Sequence, residues 1–189
     1  MLLRKERVIL IKNIKVNLEE IESMLYFWHA TGEKEKVGEV YLNDVAAMPG
    51  LSACYDDEFN AESVRKVLSA ITNREMLSEK TKKEGRFWNN NMWMTEDLEF
   101  TDMMVKPLKL LNLESLVAEL QQVKGNDKYE KLEVVFSPLH FDEYIIKDNK
   151  VIINFFRVKP DDFEETVATI DGKDIKEYIK EKLVELLQK

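Results

Sequence analysis

The chain has 189 residues, of which 44% are apolar and 34% charged, and its formal net charge is −8. Nine Phe, six Tyr and three Trp exclude an open, disordered chain, and the negative balance argues against broad, non-specific nucleic-acid binding, which draws on Lys and Arg. A single cysteine, Cys54, excludes an intramolecular disulfide framework and points to a reducing, cytoplasmic setting.

The first residues, "MLLRKERVILIK", place charge before and inside a short apolar run, so they read as neither a signal peptide nor a membrane span. Arg4, Lys5, Arg7, Lys12 and Lys15 make this segment basic. Residues 8–16, "VILIKNIKV", are rich in β-branched side chains and predict a strand. Asn17 then predicts a helix start, with Ile21, Met24, Leu25 and Trp28 as its apolar stripe and Gly32 as its stop. His29 near that end complements the helix dipole.

Residues 39–42 are expected to form a short strand and "MPG" at 48–50 a turn. From Gly38 to Val64 there is no Lys or Arg, while Asp56, Asp57, Glu58 and Glu62 cluster before the next helix. Carboxylates there suit a helix N-terminus, and the segment lacks the glycine and the alternation of an EF-hand loop. Asn60 is the expected N-cap of a helix with Val64, Val67, Leu68 and Ile71 on one face. Gly85 reads as a stop after a lysine-rich tail, and "MMVKPLKLLN" at 103–112 as an extended segment limited by Pro107. Asn112 predicts a further cap, and "KGNDK" at 124–128 is a soft joint between two subdomains of one compact unit spanning 1–189.

The last third is the most explicit. "KLEVVF", "DEYIIK" and "VIINFF" predict strands, with Asp148-Asn149 at a hairpin tip. "ETVATI" predicts another strand, and Asp171-Gly172 a turn. Asp174 starts a final helix whose inner face is Ile175, Tyr178, Ile179, Leu183 and Leu186. The expected class is α+β. An N-terminal mixed region carries two or three helices, and a C-terminal antiparallel sheet of three or four strands is backed by the last helix.

No local catalytic or cofactor motif is present, so no cofactor and no metal are expected. His140 and Asp142 share a strand face in "HFDE", but two ligands do not close a metal site. The acidic neighbours of Cys54 raise its thiol rather than activate it. The segment "GRFWNNNMWM" is the place to look for a ligand site. Trp88 and Trp93 offer flat amphipathic faces, Asn89, Asn90 and Asn91 offer amides, and Arg86 offers a fork for an anion. Its bland counterpart is a turn at the asparagines, with the aromatics covering the core on either side and Tyr41 and Tyr55 as neighbours. The functional expectation is a cytosolic, non-catalytic binding protein whose partner is a protein, for example an immunity-type partner with an acidic face toward a basic toxin. The rival is a small hydrolase using dispersed carboxylates and His140, with a small-molecule ligand.

Overall fold

The computed structural model describes residues 9–189. Residues 1–8, which hold Arg4, Lys5, Arg7 and the first residue of the expected N-terminal strand, lie outside the described residues. The class is α+β, with eight helices and two sheets among the described residues.

The larger sheet has the order β1-β2-β4-β3. Its members are β1 (Asn13–Asn17), β2 (Lys131–Ser137), β3 (Tyr144–Lys147) and β4 (Lys150–Asn154). β3 and β4 form the expected hairpin: Lys147 pairs with Lys150, and Asp148 takes the left-handed conformation at φ 53°. The sheet is mixed rather than antiparallel, because β1 and β4 both run parallel to β2. The second sheet is antiparallel, with β5 (Val158–Pro160), β6 (Ala168–Ile170) and β7 (Lys173–Asp174) in chain order. Its tight turn uses Asp171 at φ 53° and Gly172 at φ 76°.

β2 is buried along most of its length, as a central parallel strand must be. Ser137 and Val135 face α1 (Glu19–Gly32) and α3 (Pro49–Ser52), while Leu132, Val134 and Phe136 face the other layer. That second layer contains α7 (Glu114–Leu120) and α8 (Ile175–Gln188), where Tyr144 donates to Glu185 at 2.6 Å. α8 opens on the Asp174 side chain, as its sequence predicts.

The helical half is larger than expected. Residues 39–42 belong to α2 (Glu39–Ala46) instead of a strand, because Leu42, Val45 and Ala46 share one buried helical face. Pro49 of the "MPG" turn starts α3 at the first helical position, where a missing N–H costs nothing. α4 (Ala61–Asn73) is capped by Asn60 in a reciprocal box with Ser63. α5 (Lys82–Glu96) and α6 (Leu98–Lys109) follow. Gly85 therefore lies inside α5 and stops nothing. Residues 103–109 are helical although Pro107 removes one i→i−4 hydrogen bond, because Met104, Val105, Pro107 and Leu108 are buried on one face and tertiary packing outweighs that loss.

One buried carboxylate joins the halves. Glu20 on α1 accepts from Gly50 N at 2.7 Å, Leu51 N at 2.9 Å and Ser137 Oγ at 2.9 Å. Burial raises its pKa against the pull of those three donors. Gly50 is required for this approach: a Cβ there would stand 2.4 Å from Glu20 Oε2. Gly50→Ala is accordingly expected to cost about 2 kcal/mol or more in urea unfolding, through overpacking and lost donors. Gly38→Ala is the control, because a Cβ at Gly38 meets nothing within 4 Å. Equal costs for the two would remove Glu20 from its joining role.

Candidate functional site

α5 carries the residues that the sequence singles out. Thr81 starts it with a capping box: Thr81 Oγ1 accepts from Glu84 N at 3.1 Å, and Glu84 Oε2 accepts from Thr81 N at 3.0 Å. Lys66 holds the same carboxylate at 2.8 Å. Glu84, Phe87, Asn91 and Met94 then form the buried stripe. The three asparagines are one continuous stretch of helix, not a turn. The reason is tertiary: Asn91 accepts from the buried Trp28 Nε1 at 2.9 Å and donates to the Phe87 carbonyl at 2.9 Å.

The expected site residues are thus spread around a helix. Asn91 is fully buried and belongs to the core. Trp88 is half-buried and packs against that core. Asn90 donates to the carbonyls of Leu139 and His140 at 3.3 and 3.4 Å, fastening α5 to the loop after β2. Asn89 is exposed, and Arg86 lies 5.4 Å from the centroid of the exposed Phe141 ring. Trp93 is 62% exposed. The Tyr41 and Tyr55 hydroxyls donate to the Ser23 and Ala46 carbonyls, and neither residue lines the groove beside Trp93.

Trp93 stands over a groove of about 440 Å³. Phe100, Met104, Phe156 and Val158 supply its apolar wall. Asn90, Asp97 and Lys159 supply its polar rim. Asp97 breaks the chain between α5 and α6 and caps α6 by accepting from Phe100 N at 2.9 Å. Phe100 and Met104 lie four residues apart on α6, so one helical face carries both. Phe156 comes from a 3-10 turn at Phe155–Arg157 after β4.

A second cleft, of about 670 Å³, lies beside it. Glu99, Asp102, Asp161, Asp162 and Glu165 give it five carboxylates. Lys106 pairs with Glu165, and His29 Nε2 lies 2.8 Å from Asp102 Oδ1. Phe163 on its edge is 94% exposed. A third cleft, of about 510 Å³, has Glu20 with Lys147 and Lys150 in its lining.

The other candidate groups are held by the fold. The Cys54 thiol is buried, donates to the Leu51 carbonyl at 3.0 Å, and is pushed up to about 12 by burial and by Asp142. The Asp56 carboxylate caps its own loop through Glu58 N and Phe59 N and pairs with Lys83. His140 is 2% exposed and packs edge-on to Phe59 at 4.8 Å. Its Nδ1 accepts from Phe141 N at 2.7 Å, which puts the proton of the neutral ring on Nε2. The Cys54 carbonyl and Asp142 favour the charged ring, but burial outweighs them and lowers the pKa. No acceptor meets hydrogen-bond geometry at Nε2. Among the described residues, no three His, Cys, Asp or Glu side chains converge as a metal-ligand set. No helix among them is long and apolar enough to cross a membrane.

Comparison with protein-family models, with curated proteins and with solved structures finds no match.

The Trp28–Asn91 bond gives a direct test of the α5 assignment. Asn91→Leu is expected to cost about 1–3 kcal/mol by leaving a buried indole N–H unpaired. The double variant Trp28→Phe/Asn91→Leu should cost clearly less than the sum of the two single changes, measured by urea unfolding. Strict additivity would mean that the bond contributes nothing.

His140 sets a pH dependence. Its folded pKa lies below 6.5, so as pH falls below 6.5 the unfolded chain takes up a proton that the folded chain refuses. Stability is present above 6.5 and is lost as pH falls toward the lower folded value. His140→Asn, which keeps an acceptor for Phe141 N, should lower stability overall and flatten this dependence in urea titrations across that window. An unchanged slope would assign it to another group.

Proposed function

We propose that this chain is a non-catalytic binding protein that recognises another protein through the groove around Trp93. The observation that carries this reading is the exposed indole itself. On α5 the other aromatics turn inward, yet Trp93 leaves more than half its surface in water, above a wall of Phe100, Met104 and Phe156. A rigid amphipathic ring beside an apolar groove is the usual anchor of a recognition surface.

The groups that an enzyme would use support the same reading by their engagement elsewhere. Glu20 accepts three hydrogen bonds, the Cys54 thiol is buried and protonated, and His140 is enclosed beside Phe59. A hydrolase built on His140 would need that ring to reach a substrate. A cytosolic setting fits the one free thiol, which a reducing compartment keeps unpaired.

Immobilised wild-type protein and its Trp93→Ala variant, exposed to extract from the native cell, test this proposal. The variant should unfold within about 1 kcal/mol of the wild type, since the ring is largely outside the core. A protein retained stoichiometrically by the wild type should be lost from the variant. Retention that ignores Trp93, or a turnover activity abolished by His140→Asn, would overturn the reading.

A further inference from the structure

We infer that the partner segment seated on the Trp93 groove is cationic and amphipathic, with apolar side chains in the groove and Lys or Arg side chains in the acidic cleft beside it. This inference rests on the binding reading above and adds the chemistry of the partner. The two clefts share their walls. Glu99 and Met103 of α6 line one, and Phe100 and Met104 line the other. The second wall is the segment after the 3-10 turn, with Val158 and Lys159 on the groove and Asp161 and Asp162 on the acidic cleft. An elongated ligand crossing α6 meets both.

The charge there is not balanced internally. Lys106 is taken by Glu165, Asp102 has the His29 ring 2.8 Å away, and Lys159 lies on the groove side of the shared wall. Asp161 spends its carboxylate on the N–H groups of Phe163 and Glu164, at 2.9 Å each. Glu99 and Asp162 have no cationic partner among the described residues. Nearby, Phe163 is 94% exposed and Phe100 41%. Two carboxylates with no ion pair among the described residues, next to exposed aromatic rings, complement a segment that alternates apolar and cationic side chains. An acidic or purely apolar segment would leave Glu99 and Asp162 facing like charge or desolvated without a partner. The whole chain, at net charge −8, steers a basic partner in the same direction.

The test uses the full chain and three fluorescein-labelled synthetic peptides, read by fluorescence anisotropy. The first has a Leu/Phe face and a Lys face. The second keeps the apolar face but replaces each Lys by Glu. The third keeps the Lys face but replaces Leu and Phe by Ser. The first peptide alone is expected to bind. Its binding should be lost with Trp93→Ala, weakened about tenfold by Glu99→Gln with Asp162→Asn, and weakened further by added salt. Equal binding of the Lys and Glu peptides, with loss in Trp93→Ala, would overturn the cationic partner and leave the Trp93 binding reading intact. Equal binding of the Ser-faced peptide would reduce the contact to plain charge attraction and overturn the inference. No binding by any peptide, while Trp93 still governs capture of a protein from extract, would overturn the inference alone. Binding indifferent to Trp93 would sink both. Self-association of the chain that disappears in Trp93→Ala, seen by sedimentation, would assign the groove to a second copy and overturn the inference.

Discussion

The buried carboxylate of Glu20 is the constraint on which the arrangement depends. Taking a carboxylate out of water is costly unless its lone pairs are used. Here two backbone N–H groups of α3 and the hydroxyl of Ser137 use them. The bonds are directional, so they fix α1 against α3 and both against the central strand β2. Gly50 is the only residue type that lets the oxygen come this close. With α1 so placed, Trp28 lies in the core, stacked on Phe155 at 5.4 Å between ring centres. From there its N–H meets Asn91 and sets the rotation of α5 about its axis. That rotation turns Phe87 and Met94 inward and Trp93 outward.

The polar side chains divide into those that hold the fold and those left to face water. The first class includes Asn91, Asn90, Glu84, Asp56, Thr101 and Asn154. Thr101 Oγ1 lies 2.9 Å from both the Met94 and Asp97 carbonyls at the α5–α6 break and shares its one proton between them, and Asn154 Nδ2 donates to the His140 and Asp142 carbonyls at 3.1 and 3.0 Å. Such local and tertiary bonds satisfy backbone groups that the helix ends and loops would otherwise leave open. The second class gathers around α6 and residues 161–165, where the exposed aromatics also gather. Asn90 belongs to both, since it bonds the Leu139 and His140 carbonyls and also lines the groove beside Trp93.

Much of the fold was legible because its signals are local. The Asp148-Asn149 turn, the Asn60 cap and the apolar face of α8 each need only a few neighbouring residues to be read. The α5 helix was misread for the opposite reason. Three asparagines look like a turn until a partner 63 residues away takes one of them inside. The Thr81–Glu84 capping box was a local signal for this helix, masked by the lysines around it. Pro107 hides α6, because the burial of Met104, Val105 and Leu108 that offsets its missing hydrogen bond is tertiary and has no local signal. Of the groove, Trp93 was visible in the sequence. Phe100, Met104 and Phe156 were not, because the chain brings them together only after α6 and β4 are both in place.

The parallel pairing of β1 with β2 has a consequence for the order in which the molecule can assemble. Asn17 and Glu133, bonded at 2.7 Å, are separated by 116 positions. Among the described residues, β1 has no strand partner other than β2, and the helices between them make their backbone hydrogen bonds locally. As the chain leaves the ribosome, α1 to α7 can coil while β1 waits, with its backbone donors and acceptors bonded to water. The sheet begins only when β2 arrives, and β1 then closes a loop that holds most of the helical layer. Closing a long loop costs entropy only slowly with its length, but contacts of such separation form late relative to local ones. The first described strand therefore stays unpaired until residues 131–137 have been made.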